Sequence, residues 1–259
     1  MDLLCIGFGF VGKAYAILLR ENGHEVKVIT KEDETKTDSE KYGFTQPIKN
    51  EIFDVAIIAV PTPSNENGFN SEIIEQAINT AITKHSCKNI IIKSTVLPGT
   101  TQKFSENYPN TEFYFYPEFL EAKNPIGGVF NQKIKVFGTN NWTEEKKRFI
   151  NELFKLNEIE FTNFETAETI KYAHNLWLTC NISFWNSMLK TKNEKVDFEI
   201  VLNEVHKSDY FGKHPWVIGK PFGGDCLPKD LKAYIHLIKS DSIHKKFIEN
   251  IERVNNQIT

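Results

Sequence analysis

The sequence predicts an α/β fold: a parallel sheet of repeated βα units over residues 1–140, followed by an all-helical domain over residues 141–259. Three observations predict it. Short β-branched runs alternate with helical patterns through the first half, the signature of helices wound around a parallel sheet. The run from Asp54 to Val60 is apolar after its first residue, as a strand covered on both faces should be. From Thr143 onward the strand signal fades and long helical patterns take over.

Taken in order, Leu3 to Ile6 reads as the first strand, Lys13 to Glu21 as the first helix and Glu25 to Thr30 as the second strand. The polar stretch Lys31 to Lys41 leads to the third strand at Asp54–Val60. A helix is predicted over Ser71 to Lys84, and strands over Asn89–Lys93, Glu112–Tyr116 and Lys133–Phe137. Thr166 to Leu189 is the longest helical pattern, without an internal glycine or proline. Its expected cap is the Thr166 hydroxyl, with Glu165 and Glu168 at the positive helix end. Asp209 to Asp225 is rich in glycine and proline, and a last helical region runs from Asp230. No internal repeat or low-complexity tract interrupts the chain.

Composition narrows the function classes. With 259 residues, 40% hydrophobic, 25% charged and 12% aromatic, the chain is an ordinary folded protein rather than a disordered or collagen-like one. Its 31 basic and 34 acidic residues leave a net charge of −3, so no global positive field exists to collect nucleic acid or anionic lipid. A small-molecule partner is expected instead. Cys5, Cys87, Cys180 and Cys226 are scattered without a C-x-x-C pair or a zinc-type spacing, and no metal is expected. They read as reduced thiols of a cytoplasmic protein. The N-terminus lacks the basic-then-apolar layout of a signal peptide, and no stretch reaches the about 18 apolar residues of a membrane span.

Gly7-Phe8-Gly9-Phe10-Val11-Gly12 fits G-x-G-x-x-G directly after an apolar strand and directly before a helix, the context that gives this pattern meaning. Gly7 permits the tight turn, Gly9 lets a pyrophosphate approach the backbone, and Gly12 allows the helix to pack closely. The helix N-terminus supplies N–H groups and a positive dipole end. The bland alternative is a glycine-rich turn without a ligand. An acidic residue to hold the ribose 2′-hydroxyl is not at the end of the second strand, where Thr30 and Lys31 stand. An alcohol and an ammonium tolerate a 2′-phosphate, whereas Glu32 or Asp33 would favour the free hydroxyl; NAD and NADP both stay open.

Several separated motifs then agree: IGFGFVG at 6–12, VPTP at 60–63, KSTVLPGTT at 93–101, PEFL at 117–120, ETIKYAHN at 168–175, ISFWN at 182–186 and FGGDCLPKD at 222–230. In this order and spacing the chain resembles the UDP-glucose/GDP-mannose dehydrogenase family. The resemblance implies a Rossmann-like domain followed by a helical central domain that dimerises through its long helix. It also implies four-electron oxidation of a nucleotide-sugar C6 alcohol to a carboxylate, with NAD accepting two hydrides and a cysteine holding the intermediate.

By the same resemblance Cys226 is the nucleophile, and Lys171 and Asn175, four apart on one helix face, serve a developing oxyanion. Thr95 and Asp230 position a water, and Glu118 is the base for thioester hydrolysis. Val60, Pro61, Thr62, Thr95, Glu121 and Lys229 join Gly7, Gly9, Phe10, Val11, Gly12, Thr30 and Lys31 at the cofactor. Glu118, Phe119, Leu120, Lys171, Asn175, Asn186 and Gly224 face the substrate. Read without the resemblance, a lone cysteine is an inert buried residue and an i,i+4 Lys/Asn pair a solvated surface. The Cys226 neighbourhood fits the chemistry, since Gly223-Gly224 form a turn with exposed N–H groups and Lys229 is a nearby cation in sequence.

Two departures qualify the resemblance. PEFL is followed at once by Glu121 and Ala122, so the family's second glutamate is missing or shifted by one. The C-terminal UDP-binding domain of the family is not expected here, and only Arg20, Arg148 and Arg253 are available as bidentate diphosphate partners, with Lys207, Lys213 and Lys220 as point charges. Two classes are therefore carried. One is an enzyme, complete as a homodimer or with a separate C-terminal-domain polypeptide, acting on UDP-glucose or alternatively on a UDP-N-acetylhexosamine or GDP-mannose. The other is a non-catalytic nucleotide-binding module needing a partner chain. A 6-phosphogluconate-type or hydroxyacid dehydrogenase is separated from the first by having no thiol requirement.

Overall fold

The structure is a computed structural model and describes residues 1–30, 38–65, 68–120, 124–208, 219–239 and 241–258. The chain forms two compact units, Met1–Lys171 and Tyr172–Thr259. The first is built on a seven-stranded sheet in the order β2-β1-β3-β6-β7-β8-β9. Its strands are β1 (Asp2–Ile6), β2 (Glu25–Ile29), β3 (Val55–Ile58), β6 (Asn89–Ile92), β7 (Glu112–Phe115), β8 (Val136–Gly138) and β9 (Glu160–Thr162). A two-residue hairpin pair, β4 (Ser64–Asn65) and β5 (Gly68–Phe69), stands apart from it. The α/β reading holds, and the central strands sit where their apolar runs place them.

Period-two alternation splits these strands between two cores. Leu3, Cys5, Val55, Ile57 and Ile91 join one cluster with Tyr15 and Leu19 of helix α1 (Phe10–Glu21). Leu4, Ile6, Ala56, Ile58, Ile90 and Ile92 join the other with Ile74 and Ile78 of α2 (Glu72–His85). Both faces are covered, which is why the strands read as unbroken apolar runs. The strand order reverses on either side of β1, so the carboxyl ends of β1 and β3 border the crevice where such sheets bind ligands.

The second half of the sheet differs from expectation in two ways. β8 pairs with β7 antiparallel through Phe115 and Gly138, and β9 adds a parallel edge strand where no strand was predicted. Three residues of half-exposed edge carry too little hydrophobic alternation to register. Because β9 belongs to the sheet, residues 141–171 go with the first unit, and the division falls at Lys171 rather than near residue 140. Between them lie α3 (Thr100–Asn107), α4 (Pro125–Phe130) and α5 (Glu144–Phe154).

The long helix α6 spans Phe164–Thr191. Its start is capped by Asn163, whose Oδ1 accepts from the Thr166 N–H at 2.8 Å, and not by the Thr166 hydroxyl. The elements of the unit from Tyr172 onward are, among its described residues, all helices: the remainder of α6, then α7 (Phe198–Val205), α8 (Leu227–Leu237) and α9 (Ile243–Asn256). Ile182, Phe222, Leu231, Ile235 and Ile251 form its core. Two side chains fix its loops. Asn255 of α9 donates to the Phe222 carbonyl at 3.1 Å and accepts from the Phe222 N–H at 2.7 Å. Asn186 of α6 does the same for the Lys220 carbonyl and the Gly219 N–H, at 2.9 and 2.8 Å. Asn186, read from sequence as facing the substrate, holds this loop with both ends of its amide. No helix among the described residues is long and apolar enough to cross a membrane.

Candidate active site

In the first unit the glycine turn takes the shape its residues demand. Gly7 has φ +95°, and a side chain there would meet the Ala59 carbonyl oxygen at 2.3 Å. A methyl group on Gly12 would lie 2.0 Å from the Gly7 oxygen. Gly9 differs, because nothing lies within 4 Å of where its side chain would be. It stands at the N-cap of α1 with no side chain capping the helix and no acidic residue in the first turn. The turn therefore leaves N–H groups, a positive dipole end and open space together, which fits a pyrophosphate. Phe10 is exposed and Val11 packs on the core. Thr30 follows β2, while Lys31, Glu32 and Asp33 lie outside the described residues, as does Glu121.

The β3 and β6 carboxyl ends are tied together by side chains. Ser94 Oγ donates to the Val60 carbonyl at 2.7 Å and accepts from its N–H at 2.9 Å. The Thr62 hydroxyl donates to the Thr95 carbonyl at 2.8 Å. Val60, Pro61, Thr62 and Thr95 are thereby brought to one edge of the sheet. Ser94 is the link that sequence reading did not single out, although it lies inside the 93–101 segment.

A buried polar cluster sits beyond that edge. Glu118 Oε1 accepts from the N–H groups of Phe119 and Leu120, both at 2.6 Å, and its backbone carbonyl accepts from the Lys171 ammonium. Lys171 is 8% exposed and also faces the Phe119 ring at 5.1 Å. Lys171, Glu118, Phe119 and Leu120 are thus together, with the ammonium engaged on the 117–120 segment. Glu168, read from sequence as a helix-end charge, is fully buried. Its carboxylate accepts from Gly99 N–H, Thr101 N–H and Thr101 Oγ1 at 2.6, 2.8 and 2.6 Å, so it caps α3 rather than its own helix. Burial pushes its pKa up to about 7 against the pull of these three donors. Its spacing from Lys171 was visible in sequence, but its capping partner was not.

The four cysteines, two in each unit, differ in exposure. Cys226 is exposed, while Cys180 is half-buried and Cys5 and Cys87 are buried. Burial pushes the thiols of Cys5 and Cys87 up to about 12 and raises that of Cys180 as well, so none of the three is a ready nucleophile. Cys226 occupies the N-cap of α8, at the positive end of that helix. Gly224 just before it has φ +76°. Asp230, in the first turn of α8 and 1% exposed, accepts from Asn175 Nδ2 at 2.6 Å and from Lys229 Nζ at 2.5 Å. Asn175 and Asp230 are therefore partners, and Lys229 is ion-paired with Asp230. Thr95, paired with Asp230 in the sequence reading, belongs to the first unit. Among the described residues no cluster of His, Cys, Asp or Glu forms a metal site.

Residues 31–157 match a family model described as the UDP-glucose/GDP-mannose dehydrogenase family, NAD binding domain. Residues 165–257 match the central domain of the same family. The UDP-glucose 6-dehydrogenase of Rickettsia prowazekii is 28% identical over 98% of this chain and 67% of its own length. The UDP-glucose 6-dehydrogenase TuaD of Bacillus subtilis is 30% identical over 96% of this chain and 62% of its own. Among solved structures, a UDP-glucose dehydrogenase from Pyrobaculum islandicum superposes with a TM-score of 0.81 at 25% identity, covering 98% of this chain and 68% of that one. A GDP-mannose dehydrogenase from Pseudomonas aeruginosa shares the fold with a TM-score of 0.66 at 24% identity, covering 100% of this chain and 69% of that one. The chain spans about two thirds of the length of these relatives.

Proposed function

This chain belongs to the UDP-glucose/GDP-mannose dehydrogenase family of NAD-dependent nucleotide-sugar dehydrogenases, and from that premise we propose that it oxidises the C6 alcohol of UDP-glucose to the carboxylate through Cys226. The observation that carries this reading is the contrast among its thiols: Cys226 alone is exposed, and it begins a helix whose first turn buries Asp230 against Asn175.

Alcohol plus water becomes carboxylate with the loss of four electrons, and NAD, when bound at the glycine turn, takes them as two hydrides in succession. The remaining steps fall to the chain. The Cys226 thiolate adds to the aldehyde carbon, the carbonyl electron pair moves to oxygen, and that oxygen takes a proton to give a thiohemiacetal. Loss of the second hydride from the same carbon, with release of the hydroxyl proton, restores the C=O as a thioester. Lys171 and Asn175 stabilise the oxyanions of these steps, and Asp230 holds the Asn175 amide by its 2.6 Å contact. Glu118 then takes a proton from water as the water oxygen adds to the thioester carbon. Collapse breaks the C–S bond and returns the electron pair to Cys226. Thr95 and Asp230 are assigned to holding that water.

The test is reduced-cofactor production with UDP-glucose and NAD, beside GDP-mannose and a UDP-N-acetylhexosamine. Two reduced cofactors per sugar with UDP-glucose, lost in Cys226→Ala, are expected. Equal turnover by Cys226→Ala removes the thiol mechanism, and preference for another sugar corrects the substrate.

A homodimer along α6 belongs to the same proposal. Trp177, Phe184 and Met188 lie on one stripe of that helix and are 57%, 52% and 43% exposed, an apolar patch unusual on a lone subunit. Light scattering on Trp177→Glu/Phe184→Glu beside the unaltered chain tests it: a change from dimer to monomer is expected, and a monomer in both rules it out.

A further inference from the structure

Lys93 stands outside every role given so far, although it opens the 93–101 segment. It follows β6 and is 2% exposed. Its ammonium is enclosed on all described sides within the first unit. The ring centroids of Tyr15 and Tyr116 lie 3.8 and 3.3 Å from Nζ, and the Pro117 carbonyl accepts from it at 3.2 Å. Both phenol hydroxyls donate to Gln132 Oε1 at 2.7 Å, so it is the ring faces, and not the hydroxyls, that meet the cation. The remaining neighbour is Glu118 Oε2 at 3.5 Å.

That oxygen is buried and makes no hydrogen bond, in contrast to Oε1 with its two N–H donors. A buried ammonium is costly and a methionine of similar reach would fill the same space without that penalty. A carboxylate oxygen facing two phenol rings without a cation would be costlier still. Each charge thus needs the other.

We propose that Lys93 is a positioning residue, the internal counter-ion that holds the Glu118 carboxylate turned onto the 117–120 segment, ready to act as a base. This rests on the role assigned above to Glu118 in thioester hydrolysis. The charged and titratable groups facing Lys93 are Tyr15 from α1, Tyr116 and Glu118 from the segment after β7, and Lys171 from α6. Burial brings the Lys93 ammonium down to about 7, Glu118 pulls it up, and Lys171 pushes it further down.

Two measurements on the full chain test this. The first needs no substrate: NMR titration of isotope-labelled lysine side chains, with Lys93 assigned by its loss in Lys93→Met. Lys93 is expected to titrate well below the other lysines, and to move lower still in Glu118→Gln, where the anion is gone. A Lys93 titration unmoved by Glu118→Gln overturns the counter-ion. The second is kinetic. Lys93→Met is expected to keep NAD binding and the first burst of reduced cofactor but to turn over slowly. The acid limb of its kcat profile should move up by about one pH unit or more, a loss of about tenfold in rate below that limb. A profile identical to the unaltered chain overturns the inference. If Lys93→Met does not fold, the Glu118→Gln titration still decides, with assignment by elimination from substitutions at the other lysines. If the unaltered chain makes no reduced cofactor, the dehydrogenase reading falls while the titration continues to decide the ion pair.

Discussion

The sheet unit and the helical unit treat their reactive groups in opposite ways. In the first, Lys93, Glu118 and Glu168 are sealed from water among backbone groups and ring faces, and Lys93 and Glu118 form an ion pair. In the second, one carboxylate, Asp230, is buried between Asn175 and Lys229, while Cys226 beside it is left open. The contrast teaches that burial here fixes charges in place whereas exposure leaves one thiol accessible. A carboxyl edge of a parallel sheet offers many backbone groups to hold a charge, and a helix start offers a thiol both a dipole and access.

The sharpest break of this contrast comes at the thiol. Cys226→Ala should reduce turnover to background, a loss of about 10³-fold or more, while thermal melting stays unchanged because the side chain is exposed. Brief alkylation followed by peptide mapping should modify Cys226 and spare Cys5 and Cys87; equal labelling of all three would erase the distinction.

Next in size is the glycine turn, where two neighbours should behave differently. Gly12→Ala forces a methyl group onto the Gly7 oxygen at 2.0 Å, and should destabilise the fold by about 3 kcal/mol or more. Gly9→Ala meets nothing within 4 Å and should melt within about 0.5 kcal/mol of the unaltered chain. Its loss should appear instead in NAD affinity, by about tenfold or more, because the methyl group occupies the space a pyrophosphate would enter. Melting with and without NAD separates the two outcomes, and a Gly9→Ala chain that binds NAD normally would remove the pyrophosphate from this turn.

Glu168 sharpens the sealed side through pH. Its folded pKa is raised to about 7 from the ordinary 4.5, so the folded state holds the proton more tightly than the unfolded one. Stability from this group is therefore fully present below 4.5 and declines as pH rises to about 7, by at most about 1.4 kcal/mol per pH unit. Glu168→Gln should flatten that slope and cost about 1–3 kcal/mol, since an amide cannot accept on both sides from Gly99 and Thr101. A slope unchanged by the substitution would place the titration elsewhere.

The smallest effect is expected in the loop before Cys226. Asn255→Ala removes both bonds to Phe222 and should cost about 1–2 kcal/mol by denaturant titration. An unaltered midpoint would mean that water replaces both contacts.

Much of this architecture is visible in sequence because doubly covered strands write themselves as apolar runs, as Val55–Ile58 and Asn89–Ile92 do. The glycine turn is visible because steric demand leaves no other residue at positions 7 and 12. What escapes is whatever depends on partners distant in the chain. β9 is a three-residue edge held by β8, and the α6 cap moved to Asn163 because an asparagine stood one turn earlier. Lys93 and Glu168 look like surface charges to any hydropathy scale, and only the rings of Tyr15 and Tyr116, or the N–H groups at 99 and 101, reveal them as interior. Cys226 is the reverse case: its motif singles it out, but its exposure relative to three other thiols had to be seen.

The double grip of Asn255 on Phe222 also orders events in time. Residue 222 cannot settle until residue 255, 33 positions later, has been made and α9 has formed. The glycine turn in the first unit, by contrast, has its partners Ile29 and Ala59 within the first sixty residues. During synthesis the cofactor turn can therefore mature early, while the cysteine loop stays unlatched until the last helix folds back, and amide exchange at Phe222 should report the opening of that helix.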